Sequence, residues 1–161
     1  MSKKVQTITP FLWFDREADE AARFYVSVFP NSSVGKTAFY TEVGPGPKGT
    51  PMTVAFELDG QPFTALNGGP IFKFTEAVSF VVHCETQDEV DKYWERLSEG
   101  GEKGQCGWLK DKYGLSWQVV PTLLLRIVQD TDPAKVQRVM QAMMKMKKLD
   151  VAGLEKAYRE G

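Results

Sequence analysis

The chain has 161 residues, of which 42% are hydrophobic and 25% are charged, and this is typical of one globular domain. Its 20 basic and 21 acidic residues give a net charge of −1, so no overall field attracts nucleic acid or an anionic membrane. No segment approaches the roughly 18 apolar residues of a membrane-spanning helix. Two cysteines need no disulfide framework, and the N-terminal segment shows no signal-peptide pattern, so we expect a cytoplasmic protein with reduced thiols.

The first half of the chain predicts one strand, one helix and three further strands. A β-branched and aromatic stretch predicts the first strand, and apolar residues at helical spacing then predict the helix. The glycine- and proline-rich segment Gly44–Gly49 and the turn at Asp59-Gly60 separate the later strands. The predicted bounds are 5–14 for the first strand, 16–29 for the helix, and 33–42, 52–59 and 62–67 for the later strands.

The second half repeats this order. Thr86 and Glu89 have the spacing of a capping box, and the helix that they open stops at Gly100-Gly101. The predicted strands of this half lie at 77–84, 104–110 and 115–121, with a weaker one near 102–104.

An internal repeat relates the two halves. Residues 8–15 align with residues 78–85 at an offset of about 70, and the helices and the last hairpins match in the same order. The sequence therefore predicts two βαβββ modules, at about 5–70 and 76–121, within a single domain spanning residues 1–161. One helix covers one face of each predicted sheet, and the other face of each sheet needs a partner. We therefore predict an α+β fold in which about eight strands form a curved mixed sheet around a cup for a ligand.

A helical extension is predicted over about 122–161. Its elements are a stretch near 122–128, a helix with Asp132 as N-cap and Pro133 at its first position, and a short helix over about 150–159. The middle helix carries an apolar stripe of Val136, Val139, Met140, Met143 and Met144. We expect this stripe to pack onto the sheet or onto a partner subunit.

Several segments carry a family resemblance. They are Phe14-Asp15 through Ala21 to Phe24-Tyr25, residues 65–70, Ser79-Phe80, residues 106–111 and residues 114–118. With the order of elements, they resemble the vicinal-oxygen-chelate superfamily, which includes glyoxalase I, bleomycin-resistance proteins and extradiol dioxygenases. Within it the chain is similar to the PhnB-like branch, whose domain is often labelled 3-demethylubiquinone-9 3-methyltransferase. The resemblance covers nearly the whole chain, including the methionine-rich helix.

The resemblance also implies where a metal would lie. Enzymes of this superfamily usually hold a divalent metal with His, Gln or Glu from four strands, and the repeat places those four positions at Thr9, Thr64, Ser79 and Gln118. Neutral hydroxyls are poor ligands for transition metals without imidazole or carboxylate support. We therefore expect no cofactor, while a divalent metal held in part by Gln118 and the one histidine, His83, stays an alternative.

Strand alternation sketches a ligand pocket. Its predicted residues are Thr9, Phe11, Trp13, Thr64, Ser79, His83, Trp108 and Gln118, although the face of Trp108 cannot be assigned. Hydroxyls and one amide on an aromatic surface suit a moderately apolar or aromatic ligand. His83 could be an acid or base, or a strand-end side chain, and Cys106 could be a nucleophile, or an inert thiol.

Three functions stay open. The first is a metal-independent small-molecule binding protein, and the second is a lyase, isomerase or dioxygenase with an atypical metal centre. The third is an assembly role, in which truncation at Pro121 would dissolve an oligomer and leave the sheet folded. Methyltransferase activity is disfavoured because Gly44–Gly49 precedes a strand and its prolines remove backbone donors. A homodimer is expected by superfamily analogy, with no nucleic-acid or membrane partner.

Overall fold

The computed structural model describes residues 4–160, which contain eight strands and five helices in the predicted order. They are β1 (Phe11–Phe14), α1 (Ala18–Val28), β2 (Ser33–Phe39), β3 (Pro51–Leu58), β4 (Gln61–Asn67), β5 (Ser79–Cys84), α2 (Gln87–Ser98), β6 (Glu102–Lys103), β7 (Trp108–Lys110), β8 (Ser116–Pro121), α3 (Thr122–Ile127), α4 (Pro133–Met143) and α5 (Val151–Arg159). The predicted α+β class is confirmed. Residues 1–3 and 161 of the predicted domain lie outside the described residues.

The chain divides into two compact units, with the boundary between Lys73 and Phe74. Each unit contains one βαβββ module, and the strand orders are β1-β4-β3-β2 and β5-β8-β7-β6. In both sheets the first and fourth strands of the module are parallel and the other neighbours are antiparallel. The repeat is therefore confirmed as two four-stranded mixed sheets, one in each unit. That both belong to one domain stays a prediction.

The first sheet packs one face against α1. Tyr25 of α1 is fully buried, and its ring centroid lies 6.1 Å from that of Phe56, which in turn lies 5.3 Å from that of Phe63. Burying an aromatic or large aliphatic side chain of this kind stabilises a fold by roughly 1.5–3 kcal/mol. Alternation sends Phe11 and Thr64 to the opposite face, where Phe11 is 59% exposed.

The start of α1 is capped by a residue from another strand. The Glu17 side chain makes no cap hydrogen bond, and Ala18 N donates instead to Asn67 Oδ1 at 2.8 Å. Asn67 Nδ2 donates to Pro51 O at 3.0 Å. One amide therefore ties the helix to β3 and β4, and the helix begins two residues later than the predicted start.

The second sheet packs against α2 in the same way. Trp94 and Leu97 of α2 and Trp117 of β8 are all buried. Trp117 Nε1 donates to Asp111 Oδ2 at 2.9 Å, and Leu115 N donates to Asp111 Oδ1 at 3.1 Å. Asp111 is only 2% exposed, and these hydrogen bonds offset the cost of burying its carboxylate.

The predicted capping box at the start of α2 is confirmed, with one difference. Thr86 Oγ1 accepts from Glu89 N at 3.2 Å. The carboxylate of Glu89 accepts from Glu85 N at 2.7 Å, instead of from Thr86 N as in the usual box.

Two strands, β1 and β7, are shorter than predicted by four residues or more. β1 begins at Phe11 and not at residue 5, because Pro10 has no N–H for a ladder and because Val5 and Ile8 are more than 80% exposed. The predicted pocket residue Thr9 therefore precedes the strand.

The strand predicted at 104–110 begins only at Trp108, because Cys106 and Gly107 have φ angles of 56° and 82°. Their N–H groups donate at 2.8 Å to Met146 O and Lys147 O, which lie between α4 and α5. A turn anchored to the C-terminal segment thus replaces the first part of the predicted strand.

The three C-terminal helices are confirmed and form a small core of their own. It consists of Leu124, Ile127, Val139, Leu149 and Leu154. The methionine-rich helix α4 packs mainly against α5 and α3, and not mainly against the sheet, although Val120 of β8 reaches the same core. That the apolar stripe of α4 also contacts a partner subunit stays a prediction. Met143 packs against this core, whereas Met144 is 69% exposed. Within residues 4–160 no helix combines the length and apolar character that a membrane crossing needs.

Candidate functional site

The face of the second sheet turned away from α2 carries four predicted pocket residues. The register sets Ser79 opposite Ser116 and Gln118 opposite Trp108, and His83 follows Ser79 on the same face. Gln118 Nε2 donates to Ser79 Oγ at 3.0 Å. His83 is exposed, and the others are half-buried apart from Ser116, which is buried. The structure therefore brings together the hydroxyl, the amide and the indole predicted for this module.

Ser116 gives this face a feature that the sequence did not reveal. The residue is only 1% exposed, and its Oγ is buried without a hydrogen-bond partner among residues 4–160. It lines a recess of about 210 Å³ together with Trp108, Lys110 and Glu76. Lys110 pairs with Glu76, and this hydrogen bond lowers the pKa of the Glu76 carboxyl. The face thus has a polar recess beside the predicted indole.

The face of the first sheet turned away from α1 carries the other predicted residues. Phe11 lies opposite Thr64 in the parallel register, and Trp13 follows Phe11 on the same face. Thr9 and Thr64 line one cavity of about 680 Å³, which also includes Ala55. The two threonines predicted to lie close together therefore do so, even though Thr9 is outside the strand.

Trp13 is held against the segment that follows β4. Its Nε1 donates to Gly69 O at 2.9 Å, and its ring meets that of Phe72 edge-on with centroids 4.9 Å apart. A Cβ on Gly68 would lie 2.3 Å from the Trp13 ring, so only glycine fits there. The orientation of the indole is thus fixed by its own module.

A further cavity, of about 540 Å³, lies in the first unit, at the ends of β1 and β4. We call it the proline-walled cavity, because its lining includes Pro45, Pro47, Pro51 and Pro70. Asp15 also lines it, and Asp15 Oδ1 is buried without a hydrogen-bond partner among the described residues. Its walls come from separate loops and from the ends of strands, so no sequence pattern pointed to it.

The Gly44–Gly49 segment forms one wall of this cavity. A Cβ on Gly46 would lie 2.2 Å from the Tyr40 ring, so the loop wraps closely around that ring. Tyr40 OH donates to Asn67 O, and Gly49 N donates to Tyr40 O at 2.8 Å. The loop joins two antiparallel strands and opens no helix, so it lacks the context of a dinucleotide-type phosphate turn.

The metal positions implied by the resemblance do not fit a metal centre. Thr9, Thr64 and Ser79 offer only neutral hydroxyls, and Gln118 offers a single neutral amide oxygen, which without imidazole or carboxylate support is a weak set of ligands for a transition metal. Within residues 4–160 no three His, Cys, Asp or Glu side chains are grouped so that they could hold a metal ion.

The two thiols differ in their surroundings. Cys84 is fully buried, and this burial, with Glu89 nearby, raises the pKa of its thiol to about 12. Cys106 is half-buried at the positive-φ turn and is held through its backbone N–H to Met146 O. The structure thus gives Cys106 a local role in the turn, and Cys84 the character of a core side chain.

The chain is similar to a named protein family. The family model described as 3-demethylubiquinone-9 3-methyltransferase matches residues 6–120. A solved structure from Bacillus cereus, described as "Putative 3-demethylubiquinone-9 3-methyltransferase, PhnB protein", is 38% identical, with a TM-score of 0.66. The match covers 72% of this chain and 99% of that chain.

Two more distant structures are also similar, and the one with the higher TM-score shares the fold. The protein PA1353 from Pseudomonas aeruginosa is 18% identical with a TM-score of 0.60, over 73% of this chain and 98% of that chain. The fosfomycin resistance protein FosX from Listeria monocytogenes is 16% identical with a TM-score of 0.49, and the match covers 74% of this chain and 94% of that chain. No curated protein matches the chain.

The family match ends at residue 120, so α3, α4 and α5 lie beyond it. The expectation that the resemblance extends through the methionine-rich helix is therefore not supported by the family model.

Proposed function

Because the chain belongs to the 3-demethylubiquinone-9 3-methyltransferase family, within the vicinal-oxygen-chelate superfamily, we propose that it is a small-molecule binding protein that works without a metal. The ligand is moderately apolar or aromatic and lies on the face of the second sheet turned away from α2. Hydrogen-bonding groups on an otherwise aromatic and apolar surface suit such a ligand.

The observation that carries this proposal is the hydroxyl of Ser116. Leaving a buried hydroxyl without a partner costs roughly 1–3 kcal/mol, and a ligand group in the adjacent recess would remove that cost. Trp108 supplies an aromatic wall to the same recess, and Gln118 and Ser79 lie on the same face. Polar atoms that converge beside an indole are the arrangement expected of a specific site for a small aromatic molecule.

The chemistry of the donor set supports metal independence. Three hydroxyls and one hydrogen-bonded amide stand where relatives in the superfamily are expected to place imidazoles and carboxylates. The name of the Bacillus cereus relative refers to a methyltransferase, and the loop 44–49 gives that activity no structural support in this chain.

We also propose a homodimer. Leu125 of α3 is 43% exposed and Val128, which follows α3, is 50% exposed, and neither lies on the sheet face proposed for the ligand. Covering such side chains with a second copy would bury apolar surface. Light scattering coupled to size exclusion should give twice the monomer mass of 18.1 kDa.

The four tryptophans allow a direct test of ligand binding. Trp108 lies on the proposed face and Trp13 on the corresponding face of the first sheet, whereas Trp94 and Trp117 are buried on the helix-covered side. We would titrate ¹⁵N-labelled protein, dialysed against EDTA, with 1-naphthol and follow the four indole N–H signals. Saturable shifts of the Trp108 signal are expected, with smaller shifts of the two buried indoles.

Variants locate the site. Gln118→Leu removes an amide on the proposed face and should weaken binding about tenfold. Gln141→Leu, which changes an exposed glutamine of α4, is the matched control and should bind like the wild type. Equal shifts of all four indoles, or no loss with Gln118→Leu, would contradict the proposal. Stoichiometric metal in protein purified without chelator, with binding lost after EDTA, would favour the atypical metal enzyme instead.

A further inference from the structure

We propose that the proline-walled cavity of the first unit is a second binding site, which takes a small molecule with an ammonium group and an apolar body. This inference rests on residues other than those of the proposed function. It holds or fails independently of the site beside Ser116.

The size and walls of the cavity suit a small organic molecule. Its volume of about 540 Å³ lies within the range of small-molecule sites, which is roughly 300–1,000 Å³. Pro45, Pro47, Pro51, Pro70 and Ile71 present apolar surface around it. An aromatic or aliphatic body would be desolvated against these rings.

The charge requirement comes from Asp15. Its Oδ1 is buried and accepts no hydrogen bond within residues 4–160, and a buried carboxylate oxygen without a hydrogen bond is costly. Arg16 Nε lies 4.0 Å from this oxygen, beyond hydrogen-bond distance, and the Arg16 side chain is 93% exposed. Asp15 lines the cavity and its side chain as a whole is 37% exposed, so a rotation of the carboxylate brings it into contact with a ligand there. An ammonium donor satisfies it in a way that Arg16 does not.

Arg16 does not make the cavity a site for anions. It lines the cavity, but solvent surrounds its guanidinium and screens its charge. Asp15 is the more enclosed of the two charged side chains. The more buried charge is screened less, so it decides which sign of ligand is preferred.

The walls are preformed. Asn67, which lines the cavity, is fixed on both sides, because its Oδ1 accepts from Ala18 N and its Nδ2 donates to Pro51 O. Tyr40 OH donates to Asn67 O, and the close contact of Gly46 with the Tyr40 ring holds the loop. A ligand therefore orders little of the protein when it binds, which favours affinity.

Three matched probes test the proposal on the wild-type protein: 2-phenylethylamine, 2-phenylethanol and 3-phenylpropanoate. They share an aromatic body and differ in the charge of the polar end. The readout is the backbone amide signals of Gly46, Gly68 and Gly69 in ¹⁵N-labelled protein, since all three residues line the cavity. The amine should shift these signals saturably and bind about tenfold more tightly than the alcohol, with the anion weakest.

Asp15→Asn keeps the shape of the side chain and removes its charge, and it should weaken amine binding about tenfold. Asp59→Asn removes one charge from the exposed β3–β4 turn of the same unit, and this control should leave the affinity for the amine unchanged. Equal binding of the amine and the alcohol, equal loss in both variants, or no glycine shifts would overturn the assignment.

Cross-titration separates this site from the proposed function. Asp15→Asn should leave the 1-naphthol affinity unchanged, and Gln118→Leu should leave the amine affinity unchanged. If each variant lowers the affinity for both probes, the proline-walled cavity is not a separate site. The response of the Trp108 indole to 1-naphthol still tests the proposed function in that case. If the Asp15→Asn variant does not fold, the comparison of the three probes on the wild type decides the proposal alone.

Discussion

Gln118 and Ser79 are joined by a hydrogen bond that runs diagonally between two parallel strands. Ser79 lies opposite Ser116 and Gln118 lies opposite Val81, yet Gln118 Nε2 reaches Ser79 Oγ at 3.0 Å. These are the two positions of the second module at which the superfamily resemblance implies metal ligands. Here one side chain donates a hydrogen bond to the other, and this bond fixes their relative position on the sheet face turned away from α2.

This pairing predicts a measurable coupling. A half-buried neutral hydrogen bond contributes about 0.5–1.5 kcal/mol to stability. Urea unfolding of the wild type, Ser79→Ala, Gln118→Leu and the double variant should give a coupling energy of that size. Additivity within about 0.3 kcal/mol would show that the bond does not contribute in solution.

The periodicity of the sequence predicted which residues of β8 lie on the sheet face turned away from α2. Side chains alternate along a strand, so the orientation of one residue fixes the orientation of its neighbours. In β8, Trp117 and Val119 are apolar and pack toward α2, so Gln118 has to point the other way. The capping box predicted the start of α2 for a similar reason, since Thr86 and Glu89 can satisfy N–H groups only at a helix start.

The failures have equally specific causes. The strand predicted at 104–110 is cut short by a turn whose N–H partners, Met146 O and Lys147 O, lie some forty residues away in the sequence, a separation that no local pattern encodes. The same holds for the proline-walled cavity, where Asp15, Tyr40 and Asn67 come from three separate segments that meet only in the folded first unit. The orphan hydroxyl of Ser116 depends on packing, which sequence alternation does not specify.

The C-terminal helices should be needed for the stability of the second unit. Leu149 is fully buried in their core, and a Cβ on Gly107 would lie 3.1 Å from its side chain, so it packs beside the Cys106-Gly107 turn. Gln87 of α2 adds two bonds, accepting from Val151 N at 2.8 Å and donating to Leu149 O at 3.2 Å. Leu149→Ala should therefore lower the free energy of unfolding by about 2–5 kcal/mol in a urea titration.

Truncation after Pro121 extends this prediction. It removes Leu149, Val151 and the carbonyl partners of the 106–107 turn together, so the second sheet should lose cooperative unfolding instead of staying folded. Met144→Ala is the matched control. The Met144 side chain is 69% exposed, so this substitution should change the free energy of unfolding by less than about 0.5 kcal/mol. A truncated chain with an unchanged unfolding transition would show that the helices are only an appendage.

The two cysteines should differ in reactivity. The thiolate is the reactive form, and burial raises the pKa of the Cys84 thiol to about 12, so this residue is protected at pH 8 both by its charge state and by its position in the core. Native protein treated with iodoacetamide at pH 8 should carry the label on Cys106, and unfolded protein should carry it on both, as read by peptide mass spectrometry. Equal labelling of both cysteines in the native state would contradict the buried position of Cys84.

A pH-dependent contact holds α5 to the loop before α4. Tyr158 OH donates to Asp130 Oδ2, and this bond lowers the pKa of the Asp130 carboxyl below its ordinary 3.8 and raises that of the Tyr158 phenol above its ordinary 10.0. The lowered carboxyl pKa gives stabilisation that is present above pH 3.8 and is lost as the pH falls through the lowered value. The raised phenol pKa gives stabilisation that is present below pH 10.0 and is lost as the pH rises through the raised value.

Tyr158→Phe should therefore be less stable than the wild type between about pH 5 and pH 9, and the two should converge toward both extremes. The substitution keeps the ring and removes only the hydroxyl, so packing near the Lys135 ammonium, 5.1 Å from the ring centroid, is preserved. Both residues of the pair are half-buried and still in contact with solvent, so the difference should be small and should shrink with added salt. Thermal unfolding at half-unit pH steps measures it. A stability difference that stays constant from pH 3 to pH 11 would mean that the hydroxyl acts through packing and not through its bond to the carboxylate.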